Sequence, residues 1–173
     1  MFKGFLAQQV KKFAVKHGDF TLASGKKSTY YIDLKQAYTR PEVMREIIFS
    51  IKENIKGMRF DRVAGMELGA VPIAVAVALT FEIPFVIVRK EKKGYGIAKR
   101  LEGEVLKDDN VLLVEDVATT GGSLASAAEA IREAGGTCTK AIAVIDRLEG
   151  ARESLQKINI ELTPLLTIRD MGL

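Results

Sequence analysis

The sequence predicts an α/β fold, a doubly wound and mostly parallel sheet with a small N-terminal hood. Three observations carry that prediction. Runs of branched apolar residues at 62–65, 84–88, 111–114, 140–146 and 160–166 read as buried strands. Helically spaced segments separate most of them, the alternation that builds a parallel sheet. Two of the strands run into turns of small, hydroxylated or acidic residues, at 66–72 and 115–123. Open α/β sheets hold ligands at the carboxyl ends of their strands.

The chain has 173 residues, 47% apolar and 28% charged, enough for one domain (1–173) with a full sheet-and-helix core. A net charge of +4 and a pI near 9.1 make it modestly basic, so the location of the cations decides their meaning. The single cysteine, Cys138, leaves no internal disulfide and suits a reducing cytoplasm. The N-terminus lacks the apolar run of a signal peptide. Residues 70–79, the most apolar stretch, are too short to span a bilayer and contain Pro72. The expectation is a soluble cytoplasmic protein that binds no membrane.

Taken in order, Phe2, Phe5, Leu6, Val10 and Phe13 recur at helical spacing and predict a helix over 2–16, ending before Gly18. His17, the only histidine, falls at that helix end, where it suits carbonyl capping better than catalysis. Metal sites or mechanisms built on paired histidines are unsupported. Residues 19–33 predict two short strands around a Ser-Gly-Lys-Lys-Ser turn. A Walker-type phosphate loop fails there, because Phe20 takes the place of the first glycine and Lys27 that of the Ser or Thr. An exposed basic hairpin and a ligand-covering hood both fit this stretch. Pro41 opens the next helix, with Met44, Ile47, Ile48, Ile51 and Ile55 as its buried stripe and Gly57 as its end. After the strand at 62–65, Gly69 and Ala70 form either a compact turn or a close approach to an anion. The helix from Pro72 to Leu79 follows, then the strand at 84–88.

Residues 89–103 break the pattern, dense in cations, aperiodic, and with glycines at 94, 96 and 103. Long irregular segments inside compact domains are commonly functional, and this one predicts an anion-clamping lid. The strand at 111–114 leads into Glu115 and Asp116 at its end, then Thr119, Thr120, Gly121, Gly122 and Ser123 at the start of a helix. A helix N-terminus with hydroxyl donors and glycines that admit the backbone is a phosphate cradle. Two acids cannot bind phosphate, so they suit ribose hydroxyls, with Mg²⁺ nearby. Leu124, Ala127, Ala128 and Ile131 form that helix's core face, Gly135-Gly136 close it, and Arg147 follows the strand at 140–146. A short helix from about 150 and a last strand at 160–166 complete the chain.

Four apolar residues, two acids and a Thr/Gly/Ser-rich loop resemble the motif of the type I phosphoribosyltransferases. Within that family the chain is similar to the orotate phosphoribosyltransferases. The supporting segments are residues 20–26, 28–33, 89–96, 101–103 and 145–147. The resemblance implies a type I phosphoribosyltransferase-like fold, the hood formed mainly by about 1–40 and a lid at about 89–103. It implies transfer of phosphoribosyl from phosphoribosyl pyrophosphate to orotate in pyrimidine biosynthesis, with Mg²⁺ held mainly through substrate near Glu115 and Asp116. Arg89, Lys90 and Lys93 are then the catalytic cations on pyrophosphate, joined by Tyr95. Glu115 and Asp116 hold the ribose, Thr119 to Ser123 the 5′-phosphate, and Arg147, Thr119 and the backbone around Tyr31 and Ile32 the orotate. A homodimer with exchanged lids is implied. Three positions depart from the family pattern: Ala23 and Gly69 stand where relatives have Lys, and Tyr95 where many have His. A purine phosphoribosyltransferase and a non-catalytic nucleotide-sensing regulator are the alternatives. No helix-turn-helix segment supports nucleic-acid binding.

Overall fold

The computed structural model describes residues 2–21, 27–90 and 100–173. Its main sheet has six strands in the order β5-β4-β3-β6-β7-β8, where β3 is Arg62–Met66, β4 Phe85–Val88, β5 Leu101–Glu102, β6 Val111–Ala118, β7 Lys140–Asp146 and β8 Glu161–Thr167. All neighbours pair in parallel except the short edge strand β5, which runs antiparallel to β4. A separate antiparallel hairpin joins β1 (Val15–Thr21) and β2 (Lys27–Ile32). Helices α1 (Phe2–Ala14), α2 (Lys35–Tyr38), α3 (Pro41–Asn54), α4 (Val71–Phe81), α5 (Gly122–Glu133) and α6 (Ala151–Gln156) complete the order.

Strand alternation divides the core between the two sheet faces. Leu112, Val114, Ile142 and Val144 pack with Leu6, Val10, Ile47, Ile51 and Ile73 from α1, α3 and α4. Val111, Leu113, Ala141 and Ala143 pack on the other face with Leu124, Ile131 and Leu155 from α5 and α6. With both faces covered, the central strands carry apolar residues continuously, the pattern that made them legible.

Three expectations are corrected. The first helix ends at Ala14, because from Val15 the backbone pairs with β2 (Val15↔Ile32, Lys16↔Tyr31, His17↔Tyr30) and pairing overrides the helical spacing. His17 therefore sits exposed in a strand and caps no helix, while Phe5 stays 44% exposed. The acids do not follow the end of their strand, since β6 continues through Glu115 and Asp116 to Ala118, paired to β7 as far as Ala118↔Asp146. The segment 89–103 ends in β5, whose Leu101 and Glu102 pair with Val88 and Ile87.

The sheet's lower edge is held by a nearly buried pair, Arg62 on β3 and Asp109 before β6, whose carboxylate also accepts the Leu106 N–H at 2.7 Å. Burial alone would raise the Asp109 carboxyl, but the bonds from Arg62 and Leu106 outweigh it and hold it below the usual carboxylate range. A depressed folded value contributes stability above the unfolded carboxyl pKa of about 3.9 and loses it as pH falls through the folded value. Asp109→Asn should lower the melting temperature at neutral pH by about 4 °C. The gap to wild type should narrow in thermal scans as pH drops below about 4.

Candidate active site

Between β3 and β6 the chain reverses its direction of winding, because β3 continues outward to β4 while β6 lies on the other side. Such a switch point leaves a crevice at the carboxyl ends of the two strands. Here it is a cavity of about 240 Å³ lined by Lys35, Met66, Glu67, Leu68, Gly69, Lys90, Glu115, Asp116, Val117 and Ser123. A second cavity of about 220 Å³ lies under residues 117–124 and shares Glu115, Val117 and Ser123 with the first. The two together make one elongated site.

The second cavity is the turn from β6 into α5. Gly121, at φ +84°, is the residue before the helix, and a Cβ there would lie 3.1 Å from the Ala151 carbonyl oxygen. The left-handed backbone and the tight packing both call for glycine. No side chain caps α5, so its first N–H groups face the cavity with the helix dipole behind them. Thr119, Thr120, Gly122 and Ser123 are exposed around them. That arrangement binds an anion such as phosphate.

Adjacent strand residues leave toward opposite faces, yet the two acids stay within reach of each other, the Asp116 N–H donating to Glu115 Oε1 at 3.1 Å. Glu115 is buried at 6% exposure and lines both cavities. Burial, then its neighbour Asp116, pushes its carboxyl well above the ordinary range. Asp116 is turned toward the β3 side, its Oδ1 accepting the Val117 N–H at 2.8 Å. A Cβ on Gly69 would lie 2.1 Å from Asp116 Oδ2, so the turn after β3 and this carboxylate are in direct apposition. The Glu67–Leu68 peptide in that turn is cis.

Helix α2 braces the same turn. Tyr38 Oη donates to the Gly69 carbonyl at 3.0 Å, and Lys35 pairs with Asp33 at 3.1 Å on the cavity wall. Burial, with the charges of Asp116 and Asp33, pushes the Tyr38 phenol up to about 12. The segment 89–103 stands on two tied feet. The Arg89 N–H reaches the Arg100 carbonyl at 2.8 Å, Arg89 pairs with Glu102 at 3.3 Å, and the Lys90 N–H donates to Glu67 at 2.8 Å. Arg100 is fastened to α5 through Glu129 at 3.1 Å and the Ser126 carbonyl at 3.0 Å.

Arg147 is 8% exposed. Its backbone N–H bonds the Ala118 carbonyl at 2.9 Å, its Nε bonds Glu149 at 2.7 Å, and its guanidinium lies 5.3 Å from the Tyr30 ring. Asp146, nearly fully buried, accepts the Leu148 N–H at 2.8 Å and so shapes the turn that carries Arg147.

Of the sequence candidates, Glu115, Asp116, Lys90 and Thr119 to Ser123 meet around the two cavities. Arg147 stands beside the turn at Ala118, and Arg89 is engaged by Glu102. Ile32 is buried in the core, and Tyr31 is 41% exposed with its ring 5.7 Å from that of Phe20. Lys93 and Tyr95, like Ala23, lie outside the described residues. Sequence reasoning missed Lys35, Tyr38, Glu67 and Tyr30. The last was discoverable, because residues 28, 30 and 32 share the inward side of β2, whereas 31 points away.

A phosphoribosyl transferase domain model matches residues 33–160. An orotate phosphoribosyltransferase of Methanocaldococcus jannaschii is 51% identical over 157 residues, covering 91% of this chain and 89% of that one. The crystal structure of orotate phosphoribosyltransferase from Aeropyrum pernix superposes with a TM-score of 0.86 at 33% identity, over 99% of this chain and 96% of that one. The Mycobacterium tuberculosis orotate phosphoribosyltransferase, in complex with 5-phospho-α-D-ribosyl 1-diphosphate, gives 0.83 at 29% identity over 100% of both chains.

The raised phenol of Tyr38 has a definite sign. Its burial beside Asp116 and Asp33 favours the protonated phenol, so the native state keeps its full stability below the unfolded tyrosine value of about 10 and loses part of it as pH rises through about 12. Tyr38→Phe should cost about 1 kcal/mol at neutral pH and remove the latest step from the phenolate absorbance titration. Gly69→Ala should leave the melting point nearly unchanged, because the obstacle is a rotatable carboxylate, while a crystal structure shows Asp116 displaced.

Proposed function

The chain belongs to the phosphoribosyl transferase family and, within it, to the orotate phosphoribosyltransferases; from that premise we propose how its residues divide the reaction. The reaction transfers the phosphoribosyl group from phosphoribosyl pyrophosphate to orotate, giving orotidine 5′-monophosphate and pyrophosphate, a step of pyrimidine biosynthesis. The observation that supports the division of roles is the elongated site, with Glu115 and Ser123 shared by its two cavities. A phosphosugar lies across that junction.

Its 5′-phosphate takes the N–H groups and hydroxyls of Thr119 to Ser123 at the start of α5. Its ribose hydroxyls take Asp116 and Glu115. A carboxylate oxygen accepts from a hydroxyl, which suits both acids to that partner. Its pyrophosphate lies at the 66–69 turn and Lys90, with Arg89 joining after exchange from Glu102. Lys93 and Tyr95 complete that cluster from the lid. Orotate lies against Tyr30, Thr119 and the Tyr31–Ile32 backbone, its carboxylate on the guanidinium of Arg147.

Displacement at the anomeric carbon proceeds through a ring with cationic character, and orotate brings its own nucleophilic nitrogen, so no strong base is required. The protein's work is to stabilise departing pyrophosphate and to exclude water under the lid. Among the described residues no three His, Cys, Asp or Glu side chains cluster into a metal cage. Mg²⁺ binds through one or two carboxylates plus substrate phosphates, and the crevice beside Asp116 fits that mode. When bound, Mg²⁺ supplies charge neutralisation to the pyrophosphate oxygens. The proposed assembly is a cytoplasmic homodimer with lids exchanged between subunits; no described helix is long and apolar enough to cross a membrane. Purine transfer and a non-catalytic sensor are not favoured, given 51% identity to an orotate enzyme.

Incubation with orotate, phosphoribosyl pyrophosphate and Mg²⁺ should consume orotate and leave hypoxanthine, guanine and adenine untouched in parallel assays. Arg147→Ala should raise the KM for orotate about thirtyfold and that for the phosphosugar little, a ratio steady-state kinetics reads directly. Asp116→Asn should lower kcat/KM for the phosphosugar about a hundredfold, and wild-type kinetics would contradict the ribose grip.

A further inference from the structure

Lys35 stands on the wall of the crevice between β3 and β6, in a short helix to which the division of roles above gives no chemistry. Glu67, Glu115 and Asp116 line the same cavity. Carboxylates on the crevice wall repel a polyanionic leaving group, so the crevice needs cations to hold one. Among the described residues that line it, the cations are Lys35 and Lys90. Lys90 belongs to the foot of the lid, tied by its backbone N–H to Glu67. Lys35 is carried by the body of the fold, since α2 buries Leu34, Ala37 and Tyr38 beside it.

The turn at 66–69 carries no cation of its own, and glycine at 69 leaves that space to the Asp116 carboxylate. That turn is instead fastened to α2 by the bond from Tyr38 to the Gly69 carbonyl, one helical turn from Lys35. The helix that braces the turn thus also brings an ammonium to it. Burial alone would lower the Lys35 pKa, but the hydrogen bond and charge of Asp33, with the charge of Asp116, outweigh it and hold it above its ordinary value. Its side chain is 46% exposed, free to leave Asp33 for a stronger anion.

We propose that Lys35 is a catalytic residue that contacts the pyrophosphate group of phosphoribosyl pyrophosphate, supplying the cation that the 66–69 turn lacks. The assignment rests on the reading that this crevice holds pyrophosphate. As the bond from the anomeric carbon to oxygen breaks, its electron pair leaves with pyrophosphate, whose negative charge rises by one unit. An ammonium fixed beside that oxygen cluster is worth more at that moment than in the ground state.

The test uses the full chain with Lys35→Met, Lys35→Gln and Lys35→Arg. Each is measured for steady-state kinetics, product inhibition by inorganic pyrophosphate, binding of ribose 5-phosphate, and melting temperature. Both neutral variants should raise the KM for phosphoribosyl pyrophosphate and the inhibition constant of pyrophosphate about tenfold and lower kcat. They should leave the orotate KM, the ribose 5-phosphate affinity and the melting temperature unchanged, with Lys35→Arg restoring most of the loss. An unchanged pyrophosphate inhibition constant in an active enzyme overturns the Lys35 assignment alone. So does a fall in ribose 5-phosphate affinity with pyrophosphate inhibition intact, which would make Lys35 a prop for Asp116. Wild-type protein that consumes no orotate overturns the assignment together with the reading beneath it.

Discussion

Asp116 Oδ2 lies 2.1 Å from where a Cβ on Gly69 would stand, and the candidate site is arranged around that contact. It joins the end of β6 to the turn after β3 across the switch point of the sheet. Glycine at 69 leaves the Asp116 carboxylate the place it occupies on the crevice wall. The Tyr38 bond holds the turn from behind at 3.0 Å, and its buried phenol stays protonated far above neutrality. Close packing at a switch point is thus what turns a general property of α/β sheets into a particular cavity.

The second organising factor is the distribution of charge. Carboxylates sit on and beside the sheet and cations around them, at Lys35 on α2, Arg89 and Lys90 after β4, and Arg147 after β7. Several of those cations are already paired, Lys35 with Asp33, Arg89 with Glu102 and Arg147 with Glu149. A partner carboxylate holds each side chain in one place. The Lys35 and Arg89 pairs are partly exposed and so weak in water, whereas the Arg147 side chain is largely buried. Burial and the neighbouring Asp116 raise the Glu115 carboxyl above its ordinary range.

The central strands were legible because both faces of the sheet are covered, so their residues are apolar without interruption. The cup at residues 119–123 was legible because its parts are consecutive: hydroxyls, glycines and a helix start must be neighbours in sequence to be neighbours in space. The first hairpin was misjudged at its start, since Val15 and His17 carry helical spacing yet pair with Ile32 and Tyr30. The extent of β6 was misjudged for a related reason. Acidic residues resemble the end of a strand locally, but backbone bonds to β7 carry the strand on to Ala118.

By itself, then, the sequence determined the α/β class, the hydroxyl- and glycine-rich cup, the paired acids and the cation-rich stretch that follows β4, because each is a local pattern written in adjacent residues. Tertiary structure alone decided what lies opposite those patterns. It set Gly69 against Asp116, brought Tyr38 across 31 residues to the Gly69 carbonyl, turned Tyr30 to Arg147, and placed Lys35 on the crevice wall. Those contacts follow from the strand order and from the packing of α2 beneath the β3 turn. Neither is encoded in any short window of residues, since both depend on which strand neighbours which.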